Sequence, residues 1–142
     1  MKTFYLLLLS FVTLSMLAQE DSTSRGATDS IFSESPIGMT VDQFNKKIKL
    51  SSKPILIYFT ADWCVACKRQ QPILEQVKTE SGNRAELYSI DMEINPLIAE
   101  YFEVYALPTL MVYKDGYQTW NSVGFQTREQ LMQQIRIFFP HK

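Results

Sequence analysis

The sequence predicts an α/β domain, a mixed central sheet of four or five strands flanked by helices. Three observations predict it. Apolar runs of strand length alternate with segments of helical spacing. The last two apolar runs are joined by a tight turn, and two capping boxes mark where helices begin.

The elements follow in order. Thr40-Val-Asp-Gln43 puts Thr at a helix cap with Gln three residues on, and Val41, Phe44 and Ile48 then recur at helical spacing. Lys53-Pro54 ends that helix, because Pro lacks the N–H and pushes its predecessor to extended backbone. Ile55-Leu-Ile-Tyr-Phe59 is a continuous β-branched and aromatic run, the pattern of a strand buried on both faces. Residues 64 to 80 read as a long helix that Ser81-Gly82-Asn83 stops. Leu87 opens a second short strand, which ends at Asp91. Asn95-Pro96 starts a helix with Pro at its first position, running to Tyr101 or Phe102. Thr109-Leu-Met-Val-Tyr113 is a third strand, Lys114-Asp115-Gly116 a hairpin turn, and residues 118–123 return as a fourth. Thr127-Arg-Glu-Gln130 caps the last helix, with Leu131, Ile135 and Phe138 as its core stripe. The alternation implies parallel pairing through right-handed crossovers, with the hairpin adding one antiparallel strand. A further strand over residues 35–38 would make the fifth.

The 142 residues fit one domain preceded by two accessory segments. Lys2, the apolar run from Phe4 to Leu17 and the small Ala18 have the three-part layout of a secretory signal over residues 1–18, cleaved after Ala18. The run is shorter than the ~20 residues a membrane crossing needs, which disfavours the alternative of an uncleaved anchor. Residues 19–35, rich in Ser, Thr and Asp, read as a flexible tether, leaving 36–142 as the domain. These expectations place the mature protein outside the cytoplasm. A net charge of −1 without basic or acidic blocks gives no argument for nucleic acid as a partner.

The chain holds two cysteines, Cys64 and Cys67, three residues apart. A bridge between them closes a tiny loop and constrains the unfolded chain little, so the pair reads as chemistry rather than as a staple. Trp63-Cys-Val-Ala-Cys67 follows a buried strand and opens a helix. Unpaired N–H groups and the positive end of the helix dipole stabilise a thiolate there. Cys64 is then the exposed attacking thiol, and Cys67, one turn on, attacks the mixed disulfide that results. A structural zinc needs four ligands, whereas the chain offers these two cysteines and one His, His141. A c-type haem site needs His directly after the second Cys, where Lys68 stands. A redox-inert disulfide is the remaining alternative. No metal and no cofactor is expected.

The segment Ile-Leu-Ile-Tyr-Phe-Thr-Ala-Asp-Trp-Cys-Val-Ala-Cys-Lys resembles the active-site segment of the thioredoxin family. Pro72 falls at the family's helix-kinking proline, Tyr105-Ala-Leu-Pro-Thr-Leu is similar to its cis-proline loop, and Lys114-Asp-Gly with Val123-Gly124 matches its final hairpin. The likeness covers residues 40 to 139. Thr40-Val-Asp-Gln-Phe and Ala61-Asp-Trp-Cys-Val-Ala-Cys-Lys68 are similar to one branch, the periplasmic C-terminal domain of the bacterial transmembrane disulfide reductase. The resemblance implies a thioredoxin-like fold and a monomeric protein-disulfide reductase. Its partners would be disulfide-bearing exported proteins and a membrane or periplasmic electron donor. It implies that Pro108 is cis and packs on the cysteine pair, leaving the Leu107 backbone to pair with an extended substrate.

Trp63 then forms substrate surface or, alternatively, fills the core, and Gly124 allows close backbone approach or marks a bulge. Asp62 and Lys68 flank the motif and either tune the thiolate or are merely solvated. Two departures stand out: Tyr58 occupies the place of the family's buried Asp, and Leu87 that of the Lys beside it. Val65-Ala66 also differs from the Gly-Pro of common thioredoxins. Disulfide oxidase or isomerase chemistry is the alternative within the class. A redox-inactive module that holds peptides along the Pro108 groove is the alternative outside it.

Overall fold

The capping box at Thr40 forms as its spacing requires. The Thr40 hydroxyl accepts from the Gln43 N–H at 3.2 Å while the Gln43 side chain accepts from the Thr40 N–H at 2.8 Å. Helix α1 (Val41–Leu50) follows, burying Phe44 and Ile48. The computed structural model describes residues 39–139. The expected signal over 1–18, the tether over 19–35, the strand over 35–38 and His141 lie outside the described residues.

Strand β1 (Ile55–Thr60) is buried at every position but its last. Helix α2 (Val65–Ser81) leaves it through a tight turn and ends in a short 3-10 turn, Gly82–Arg84. Strand β2 (Glu86–Asp91), helix α3 (Pro96–Tyr101), strands β3 (Thr109–Lys114) and β4 (Tyr117–Val123) and helix α4 (Arg128–Arg136) complete the order. The second capping box forms at Thr127 with Gln130.

Among the described residues the sheet has four strands in the order β2-β1-β3-β4. β1 and β2 are parallel, whereas β3 runs antiparallel to β1 and β4 antiparallel to β3. Sequence alternation had implied a parallel β3. The 17 residues between β2 and β3 hold only the short helix α3 and make no crossover to the start of the sheet. The chain re-enters from the end at which β2 left.

Side chains alternate across the sheet as a period of two demands. Leu56 and Tyr58 face a cluster built with Leu110, Val112, Leu74, Val77, Leu131 and Ile135. Ile55, Ile57 and Phe59 face the other, built with Phe44, Ile48, Ile98, Phe102 and Met111. At roughly 1.5–3 kcal/mol per buried apolar side chain, β1 is the element whose place is least negotiable. The cysteines sit on the turn that leaves it. One expected core position shifts: Phe138 is half-buried, and Met132 and Phe139 are buried beside Leu131 and Ile135. α4 ends at Arg136, so the residues beyond it leave the helical spacing on which Phe138 was placed.

Candidate active site

The cysteines are held by backbone. After β1 the Cys64 N–H donates to the Ala61 carbonyl at 3.0 Å, and Asp62 and Trp63 project outward from that turn. Cys64 is the N-cap of α2 rather than its first helical residue, and its Sγ accepts from the Cys67 N–H at 3.1 Å. That bond uses one of the donors a helix start leaves unpaired. The first turn of α2 holds no acidic residue, so nothing there offsets the positive end of the dipole. The two sulfurs are joined in a disulfide, with Cα atoms 5.2 Å apart.

Cys64 was expected to stand exposed. It is buried at 5 %, against 2 % for Cys67. In the oxidised pair its sulfur folds back over the first turn toward Cys67, and both belong to the cluster containing Tyr58, Leu74 and Leu110. The order between the two survives, and the exposure belongs to the apolar neighbours. Trp63 is 65 % and Val65 73 % exposed, so Trp63 is not core filling. Asp62 and Lys68 are both exposed.

Tyr58 lies beneath the pair. It is buried, and its hydroxyl donates to the Cys67 carbonyl at 2.9 Å. Burial raises its pKa above the ordinary phenol value, with an opposing contribution from Thr60. The phenol therefore stays protonated across the neutral range and donates to the Cys67 carbonyl. Leu87 is buried in the same cluster, so an apolar side chain takes the place of the family's lysine.

The loop before β3 packs against the same cluster. The Leu107–Pro108 bond is cis and Pro108 is buried. Leu107 packs against the cluster that contains both cysteines, and no backbone hydrogen bond joins it to another described residue. Gly124 donates its N–H to the Pro108 carbonyl at 2.8 Å. Its φ is +94°, a conformation L side chains rarely adopt, yet no atom stands where a Cβ would sit. Backbone conformation, not crowding, requires glycine there.

A family model described as Thioredoxin matches residues 35–137. This chain belongs to the thioredoxin family. The thioredoxin of Mycolicibacterium smegmatis is 34 % identical over 101 residues, covering 70 % of this chain and 90 % of that protein. The thioredoxin of Staphylococcus epidermidis is 37 % identical over 95 residues, 67 % of this chain and 89 % of that one. Among solved structures, oxidised mitochondrial thioredoxin 3 of Saccharomyces cerevisiae superposes with a TM-score of 0.62 at 29 % identity, covering 68 % of this chain and 89 % of that one. With its Cys64/Cys67 pair the protein is a thioredoxin-family thiol–disulfide oxidoreductase.

One member of the site escaped the sequence reading. Gln70 is fully buried one turn after Cys67 and holds the loop that follows Gly124. In the sequence it stands before a second Gln and looks like a solvated helix residue. Only its spacing of three from Cys67, which puts the two on one helix face, points inward.

Proposed function

We propose that this thioredoxin-family protein is an exported disulfide reductase that passes electrons to other exported proteins, as in the branch its motifs resemble. The observation that supports this best is the bonded Cys64–Cys67 pair at the start of α2, in the cluster against which Leu107 of the cis Leu107–Pro108 bond packs, and flanked by exposed Trp63 and Val65.

The cycle balances on two electrons. In the reduced protein the Cys64 thiolate attacks one sulfur of a substrate disulfide. The substrate's other sulfur leaves as a thiolate and takes a proton from solvent. Cys67 then gives up its proton and attacks Cys64 Sγ, releasing the second substrate thiol and closing the Cys64–Cys67 disulfide. The substrate gains two electrons and the pair loses two, so a donor dithiol from a membrane or periplasmic partner must restore it. Trp63, Leu107, Pro108 and Gly124 form the substrate groove. The unpaired Leu107 backbone takes an extended chain as a sheet edge would, giving affinity through main-chain bonds.

With a small dithiol as donor, the protein should accelerate the cleavage of insulin disulfides well beyond the dithiol alone. No acceleration would leave only a peptide-holding role. Export has its own readout: mass spectrometry of the protein from its native host should find a chain beginning at Gln19. A full-length chain in the cytoplasm contradicts that part of the reading.

A further inference from the structure

We propose that Gln70 is a positioning residue that sets the substrate groove by locking the loop of residues 124–126 to the active-site helix. Its amide acts on that loop as a neighbouring strand would. Nε2 donates to the Gln126 carbonyl at 3.0 Å, and Oε1 accepts from the Gln126 N–H at 2.7 Å. The Gln70 side chain is fully buried and Gln126 half-buried, so the amide itself is shut off from water, where leaving it unpaired is costly. An apolar residue would fill that space without either bond. The glutamine is therefore explained by what it holds.

The loop is tied at further points. The guanidinium of Arg69, the next residue back on α2, lies 5.5 Å from the centre of the Phe125 ring. The Gly124 N–H reaches the Pro108 carbonyl at 2.8 Å. The Gln126 side chain donates back to the Phe125 carbonyl at 3.0 Å, stiffening the loop from within. A continuous path thus runs from Cys67 along α2 to Gln70, through the backbone of Gln126 to Gly124, and on to Pro108. Gly124 and Pro108 are both tied to the helix that carries the cysteines. Without Gln70 the loop between β4 and α4 keeps the Arg69–Phe125 contact, the bonds of the Gln126 side chain within the loop and the Gly124–Pro108 bond, and loses both of its hydrogen bonds to α2.

The inference rests on the groove being the site for protein substrates, and it separates two substrate classes. A small disulfide needs to present only a sulfur to Cys64. A protein disulfide must also lay its main chain along Leu107 and Gly124. Loss of the clamp should therefore weaken protein substrates selectively, through KM.

The test is Gln70→Met, close in length and without the amide's donor. The efficiency of insulin reduction divided by that for a small aromatic disulfide should fall about tenfold, equal to ~1.4 kcal/mol, with the change carried by KM. Hydrogen exchange at the Gln126 amide should speed up in the same variant. An unchanged ratio, or an equal loss on both substrates, overturns the proposal. If Gln70→Met does not fold, Gln70→Asn, one methylene too short to reach, carries the same expectations. In the unaltered protein the Gln126 amide should exchange far more slowly than that of exposed Phe125, and equally fast exchange overturns the clamp whatever the variants do. A protein that fails on insulin but keeps a slow Gln126 amide contradicts the reductase reading and leaves the clamp standing.

Discussion

Cys64→Ser should abolish insulin reduction and leave nothing to be trapped, while Cys67→Ser should attack substrate once and accumulate as a mixed disulfide. The asymmetry follows from the helix end. Cys64 is the N-cap, outside the first turn and beside the exposed Trp63 and Val65. A thiolate there receives the Cys67 N–H already aimed at its sulfur and the positive end of α2. Cys67 lies inside the helix over Tyr58, placed to resolve but not to meet a substrate. Non-reducing gels and mass spectrometry of both variants, purified from cells making their normal partners, read the difference directly. Capture by Cys64→Ser and none by Cys67→Ser would reverse the assignment.

Tyr58→Asp should be strongly destabilising, and increasingly so from mildly acid to neutral pH. Two effects add. Removing the buried ring costs ~3–5 kcal/mol, as for other large-to-small core changes. The new carboxylate is also buried in an apolar cluster where Leu87 replaces the family's lysine, and the perturbation of the native phenol there is by burial and Thr60, not by a neighbouring charge of the described residues. The folded pKa of the carboxylate then rises above the unfolded ~3.9. For a raised pKa the favourable contribution is that of the neutral acid. It is whole below the unfolded value and is lost as pH climbs through the folded one. The native phenol adds no slope over this range, because burial holds its pKa above the usual value. Tyr58→Phe is the matched control: it removes one hydrogen bond, worth ~1 kcal/mol, at every pH alike. Urea unfolding of the oxidised proteins across the acid-to-neutral range distinguishes the two. If Tyr58→Asp tracked Tyr58→Phe with a constant offset, residue 58 would not lie buried beneath the disulfide.

The same hydroxyl bears on proton transfer. Thioredoxin relatives commonly carry a buried carboxylate at this place. Here a neutral phenol is hydrogen-bonded to the Cys67 carbonyl instead. We expect Cys67 to lose its proton to water or to a group on the substrate as the mixed disulfide resolves, so that this step shows no titration of a carboxylate at position 58.

Patterns tied to backbone geometry were legible in the sequence. The two capping boxes, the buried run of β1 and the hairpin at Asp115-Gly116 each have a local cause, and each formed where its residues stand. The cysteine pair was legible because strand, turn and helix signals surround it. The cis bond before Pro108 came from the family motif, since nothing local separates it from an ordinary loop proline. What escaped depends on neighbours distant in sequence. The direction of β3 is set by its pairing with β1, whose partner residues lie some 54 positions away in sequence. The burial of Cys64 follows from a sulfur folded over its own helix. Gln70 is silent because its partner, the Gln126 backbone, lies 56 residues away. A buried glutamine has no sequence mark until the chain that satisfies it is in place.

The reduction potential of the Cys64–Cys67 couple, measured by equilibrating the protein in graded thiol–disulfide buffers, tests the central claim most directly. A reductase should titrate as a single two-electron couple near the ~−270 mV of thioredoxin. A value near ~−120 mV, where the pair would take electrons from its partners rather than give them, contradicts the account.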